Sequence, residues 1–69
     1  MPKRLGSMDV IRVLQARGFY FVSQKGSHAK YRDTLGHTVI VPHPKKELPI
    51  GTTRAIIRQS GLTPKDFGF

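Results

Sequence analysis

The segment HAKYRDTLGHTVIVP, residues His28 to Pro42, decides the fold. Two strands, His28 to Arg32 and His37 to Val41, flank Asp33-Thr34-Leu35-Gly36. That loop has Asp at the first and Gly at the fourth position of a type I turn, the usual start of a three-residue hairpin loop with a glycine bulge. Such a loop sets the register: Asp33 stands opposite His37, Tyr31 opposite Val39 and Ala29 opposite Val41. Tyr31, Val39, Ala29 and Val41 then share one face of the sheet, the core face. Alternation along a strand places His28, Lys30 and Arg32 on the opposite face with Thr38 and Ile40. A slip of one residue would set Tyr31 against Thr38 and spoil both faces.

Upstream, Phe19 to Gln24 is aromatic and β-branched and reads as a first strand, joined to His28 by a tight turn through Lys25, Gly26 and Ser27. Before it, after a basic leader from Pro2 to Arg4, Ser7 reads as an N-cap. Val10, Ile11 and Leu14 recur at helical spacing, and Gly18 offers a left-handed stop. The first helix is expected over Ser7 to Arg17, with Asp9 and Arg17 matching its dipole. Downstream, Pro42 and Pro44 end the third strand, because proline cannot donate to a ladder, and Lys45 and Lys46 lie in the connection. A second helix starts between Pro49 and Thr52, buries Ile56 and Ile57 with Ala55 and Leu62, and closes at Gly61. Thr63, Pro64 and Asp66 cap one last helical turn. The fold class is therefore α+β. One domain over residues 1 to 69 is expected, in α-β-β-β-α order, with a three-stranded antiparallel sheet, two helices on one face and the other face open and charged.

The totals narrow the function. With 69 residues the core is thin, and no cysteine is present to supplement it with disulfides or thiolate metal ligands. A reducing cytoplasm fits that composition. The longest apolar runs, Phe19 to Val22 and Thr38 to Pro42, are too short to span a bilayer, and no signal-peptide core is visible. Twelve Lys and Arg against four acidic residues give a formal charge of +8, which attracts polyanions. Nucleic acid is the leading ligand class, and an acidic protein partner is the alternative; one surface can serve both.

Histidine is the obvious acid/base group in a chain without cysteine, since its pKa near about 6.5 lets it accept or give a proton near neutral pH. RNA gives such a group a target, because a deprotonated 2′-hydroxyl attacks its own phosphodiester. His28 is the catalytic candidate. It follows Gly26 and Ser27, where the chain turns, and shares its face with Lys30 and Arg32 at intervals of roughly 6.6 Å. Arg32 suits a bidentate phosphate contact that also stabilises developing charge, and Lys30 acts as a point charge. Lys25 and Ser27 of the turn, His43, Lys45 and Lys46 complete the expected RNA contacts. His43 is also open to a reading as a second acid/base group, and the second helix's N-terminal amides to one as a phosphate site beside Lys45 and Lys46. His37 needs no role beyond ending a hairpin loop. Arg54 and Arg58 share a helix side and either track RNA or solvate the helix. Tyr20 is available for base stacking if it faces outward, in competition with Phe19 and Phe21 for the core. No histidine spacing suits a metal, so no metal and no cofactor is expected.

Taken in order, these motifs resemble the HicA family of toxins, also called YcfA-like, from toxin–antitoxin modules of bacteria and archaea. The resemblance covers nearly the whole chain. It rests on the helix ending in Gly18-Phe19, on Lys25-Gly26-Ser27-His28 followed by Tyr31, and on Val39-Ile40-Val41-Pro42. It continues through Lys46-Glu47-Leu48, Gly51-Thr52 and Ile56-Ile57-Arg58-Gln59-Ser60-Gly61-Leu62. The resemblance implies a fold like that of double-stranded RNA-binding domains, ribonuclease action on mRNA and neutralisation by a HicB-type antitoxin. It also implies that the histidine of Gly-Ser-His, here His28, is catalytic. Ala29 departs from the pattern, since many members carry a second histidine there, and Pro49 precedes Gly51 by two positions rather than directly. The rival reading is a non-catalytic RNA-binding module, which explains charge and fold without using His28. Binding of double-stranded DNA is a third, poorly served by short helices with few arginines.

Overall fold

A computed structural model of the chain describes residues 4–69. Of the basic leader, Pro2 and Lys3 lie outside the described residues. The elements are α1 (Ser7–Ala16), β1 (Tyr20–Lys25), β2 (His28–Arg32), β3 (Thr38–Pro42), α2 (Ile50–Ser60) and a closing 3-10 turn (Pro64–Phe67). The sheet is antiparallel in the order β1-β2-β3. This is the α+β arrangement expected of a double-stranded RNA-binding-domain-like chain.

The hairpin adopts the register that its loop dictates: Ala29 pairs with Val41, Lys30 with Ile40, Tyr31 with Val39 and Arg32 with Thr38. Asp33 builds the loop. Its carboxylate accepts from the backbone N–H of Leu35 at 3.1 Å and of His37 at 2.8 Å, holding an Asx-type turn closed. Alternation then sends Ala29, Tyr31, Val39 and Val41 into the core, where Val10 and Leu14 of α1, Ile56 of α2, and Phe19 and Leu48 of the connecting segments meet them. Leu14 and Leu48 are fully buried. Each side chain of this size contributes about 1.5–3 kcal/mol when withdrawn from water, so this one cluster supplies most of the drive to fold.

Three local expectations are corrected. Ser7 is not the N-cap of α1. Gly6 takes that place, its N–H donating to the Asp9 carboxylate at 2.8 Å, while Ser7 is already helical and buried. Gly6 is required by proximity: a Cβ there would lie 2.5 Å from the Lys46 carbonyl oxygen. The first strand runs from Tyr20 rather than Phe19, because Phe19 turns into the core. It also carries a bulge, with Phe21 opposite Tyr31 but Ser23 opposite Lys30, so Val22 has no partner in β2. Finally, Arg17 lies just past the end of α1, and its guanidinium pairs with Asp66 of the closing turn at 2.8 Å. It thereby ties the two ends of the helical layer together.

The hydroxyl of Ser7 serves the loop between β3 and α2 instead of its own helix. Ser7 Oγ accepts from the Lys45 N–H at 2.9 Å and lies 2.8 Å from His43 Nδ1. Backbone bonds from Ser7 N–H to the Lys45 carbonyl (2.8 Å) and from Leu48 N–H to the Leu5 carbonyl (2.7 Å) lay the chain before α1 against this loop. The loop thus has a defined path, with Lys45 and Lys46 exposed on it.

Candidate functional site

Cross-strand pairing places Tyr20, Ser23 and Lys25 of β1, His28, Lys30 and Arg32 of β2, and Thr38, Ile40 and Pro42 of β3 on the sheet face away from the helices. No carboxylate stands at any of these positions. The three aspartates are engaged elsewhere: Asp9 with Gly6 and Arg12, Asp33 with His37, and Asp66 with Arg17 and Thr63. The fourth acidic residue, Glu47, is exposed beside Lys46 on the loop before α2 and not on this face. A formal charge of +8 is therefore unevenly spread, and this face holds cations with nothing of opposite sign among them.

His28 opens β2, opposite Lys25 on one side and Pro42 on the other, and is exposed. Gly26, with φ of 57°, and Ser27 make the turn that delivers it. The rings of His37 and His43 are hydrogen-bonded, to Asp33 and Ser7 respectively. Among the described residues the imidazole of His28 has no such partner. Arg32 is held in place by donation from its Nε to Thr38 Oγ1 at 3.3 Å, so its outer nitrogens are left for a ligand.

His43 is placed differently from Lys30 and Arg32. It continues the alternation of Val39 and Val41 and turns toward the helical layer, where it meets Ser7. Its N–H donates to the Ser27 carbonyl at 2.8 Å, and its carbonyl accepts from Gln24 Nε2 at 2.8 Å. The β1–β2 turn and the Lys45-Lys46 loop are thus joined at one end of the sheet, the end that also carries His28. Lys25, Ser27, Lys45 and Lys46 are all exposed there. The structure brings Lys25, Ser27, Lys45 and Lys46 to the end of the sheet that carries His28 and places Lys30 midway and Arg32 at the far end of β2, with His43 as the link inside rather than as a member of the open face.

Arg54 and Arg58 are exposed on α2, in the helical layer, and do not join the open face. A cavity of about 220 Å³ lined by Ile50, Thr53, Arg54, Ile57, Pro64 and Phe69 lies between α2 and the closing turn. None of the residues of the open face reaches it. Among the described residues, no three His, Cys, Asp or Glu side chains come together as a metal site, and no helix is long and apolar enough to cross a membrane.

One polar cluster joins residues whose pairing no local sequence signal marks. Asp33 is nearly buried, and its carboxylate lies 2.7 Å from His37 Nδ1. Burial by itself would raise its pKa, but the bonds from the His37 ring and from the His37 and Leu35 amides outweigh it and hold the carboxyl below its ordinary value. The far side of the His37 ring rests against Gly61, where α2 ends in the left-handed conformation. The cluster fastens the hairpin loop to α2 at the end of the sheet remote from His28.

The sequence over residues 7–62 matches the family model described as HicA toxin of bacterial toxin-antitoxin. The chain belongs to the HicA toxin family. A HicA chain is the toxin of a toxin–antitoxin pair, so an antitoxin is its natural partner. The matched span runs from Ser7, the anchor of the Lys45-Lys46 loop, to Leu62, just past α2, and so takes in the whole sheet, His28 and both helices. No curated protein sequence matches the chain.

Proposed function

We propose that this HicA-family toxin is a metal-independent endoribonuclease that cuts mRNA and so stops translation, with His28 as its catalytic residue. One observation carries the reading: an exposed imidazole without an internal partner stands at the head of a cationic face that has no carboxylate. RNA phosphates are drawn to Lys25, Lys30 and Arg32, and the adjoining Ser27, Lys45 and Lys46 extend the contact around the end of the sheet. His43 holds the β1–β2 turn against that loop.

In the reaction, the 2′-oxygen forms a bond to its neighbouring phosphorus as the bond from phosphorus to the 5′-oxygen breaks. The 2′-hydroxyl gives up a proton and the departing 5′-oxygen gains one. His28 performs one of these transfers and water supplies the other. A positioned histidine is worth roughly 10² to 10⁴ in rate. The Lys30 ammonium, two residues along β2 on the same face, is the near cation for charge that grows on the phosphoryl oxygens, while Arg32, four residues along, holds the strand further from the cut. Such an enzyme is slow, which suffices for a toxin. A HicB-type antitoxin that covers His28 with acidic or apolar groups would block it in the cytoplasm, and the toxin's charge speeds that encounter.

The test compares wild type with His28→Ala for binding and for cutting. Removing the imidazole is expected to abolish cleavage of a long single-stranded RNA while leaving affinity nearly intact. RNA that is bound equally by both proteins and cut by neither would turn the reading into that of a non-catalytic RNA-binding module.

A further inference from the structure

The open face holds one aromatic ring that neither the core nor the proposed chemistry uses. Tyr20 begins β1 directly opposite Arg32 and is 48% exposed. Its neighbours are committed elsewhere. Phe19 is buried, and Phe21, though 53% exposed, lies on the opposite face, where its ring meets Tyr31 edge-on with centroids 5.7 Å apart and planes at 73°. Beside Tyr20, Arg32 is steadied by Thr38, and Ile40, opposite Lys30, is itself 36% exposed. An exposed aromatic and an exposed aliphatic beside the held guanidinium of Arg32 and the Lys30 ammonium make a surface that suits a flat, partly apolar ring attached to a phosphate chain.

We propose that Tyr20 and Arg32 form a nucleobase subsite, and that the substrate is a single strand laid along β2, with one base stacked on Tyr20 and its backbone passing Lys30 to His28. The inference rests on the nuclease reading for the meaning of His28 but on pairing and exposure for the subsite. Tyr20 stands level with Arg32, four residues along β2 from His28, a separation of about 13 Å. That spans a few nucleotides, so the stacked base lies outside the scissile step and sets where the cut falls. In a duplex the base faces are already stacked on one another, whereas a single strand offers them to an aromatic ring. This chain therefore has the layering of a double-stranded RNA-binding domain but a sheet face suited to single strands.

The experiment uses full-length protein carrying His28→Ala, so that RNA is not consumed, and a labelled short oligoadenylate. Adding Tyr20→Ala is expected to raise Kd by a factor between about 5 and 150, while Tyr20→Phe keeps wild-type affinity. A ribose-phosphate oligomer of equal length without bases should lose a similar factor against Tyr20 and be indifferent to Tyr20→Ala. A double-stranded competitor should fail to displace the strand. The chain has two tyrosines and no tryptophan, and Tyr31 is buried. Quenching of tyrosine emission by the oligonucleotide therefore reports Tyr20 and should vanish in Tyr20→Ala. Equal affinities of the Tyr20→Ala and Tyr20 proteins, equal binding of the baseless oligomer, or efficient displacement by duplex would each overturn the subsite. These readouts need no cleavage. A subsite that survives in a protein that cuts nothing sinks only the nuclease reading, and His28-dependent cleavage unaffected by Tyr20→Ala sinks only the subsite.

Discussion

Replacing Ser7 by alanine removes a single oxygen atom, yet the structure makes it expensive. Ser7 is 1% exposed, and its Oγ serves the Lys45 N–H at 2.9 Å and the His43 ring at 2.8 Å. The Lys45 carbonyl keeps its bond from the Ser7 N–H, so the loss falls on two groups. A buried backbone donor left without a partner costs about 1–3 kcal/mol, and the Lys45 N–H, part-buried on an exposed residue, falls at the low end. His43 is only half-buried and recovers part of its loss from water. Alanine returns a few tenths of a kcal/mol of helix propensity. The net cost is about 1 kcal/mol, which for a domain of this size lowers Tm by roughly 6 °C. Thermal unfolding followed by far-ultraviolet circular dichroism measures it, with Met8→Ala as a control on the exposed side of the same helical turn. The loop should also loosen, so RNA affinity should fall in Ser7→Ala and stay level in the control. A Tm within about 2 °C of wild type would refute the view that this hydroxyl pins the loop.

Further outcomes follow from the same geometry. Gly61→Ala should cost at least about 2 kcal/mol, because φ is +72° and a Cβ would lie 2.6 Å from the His37 ring; the midpoint of urea unfolding reads it. Asp33 and Asp66 both ionise below the ordinary value of 3.8. The unfolded chain therefore takes up protons first as pH falls. Their stabilisation is complete above about pH 5 and is lost as pH drops through the folded values below about 4. Tm measured against pH should fall on that acid limb, and Asp33→Asn should flatten it. RNA affinity should decline with salt with a logarithmic slope of about −3.5 if Lys25, Lys30, Arg32, Lys45 and Lys46 each neutralise one phosphate of a single strand, and Lys30→Ala should make it shallower by about 0.7.

What the sequence could reveal followed from how far apart the cooperating residues lie. The β2–β3 hairpin was readable pair by pair because its loop and its alternation are local, and the charged character of the open face came with the register. The bulge at Val22 was not, since a run of aromatic and β-branched residues fits either phase of a strand. Ser7 stood where a cap is expected, ahead of an apolar helical pattern. Nothing near it announces partners at His43 and Lys45, 36 and 38 positions away. The same distance hid the direction of His43, whose ring turns to Ser7 and links the loop to α1. Asp33 was legible as a turn residue, but its ring partner and the contact of that ring with Gly61 depend on packing across the sheet. Tyr20 could not be assigned a face until the bulge was placed.

The most direct test of the central claim asks whether His28 acts on the 2′-hydroxyl. Wild type and His28→Ala are incubated in EDTA with one RNA and with the same sequence carrying 2′-O-methyl groups throughout, and the fragments and their termini are read by denaturing gel and mass spectrometry. Fragments are expected only from wild type on unmodified RNA. Equal cutting by His28→Ala, or cutting of the methylated strand, would contradict it.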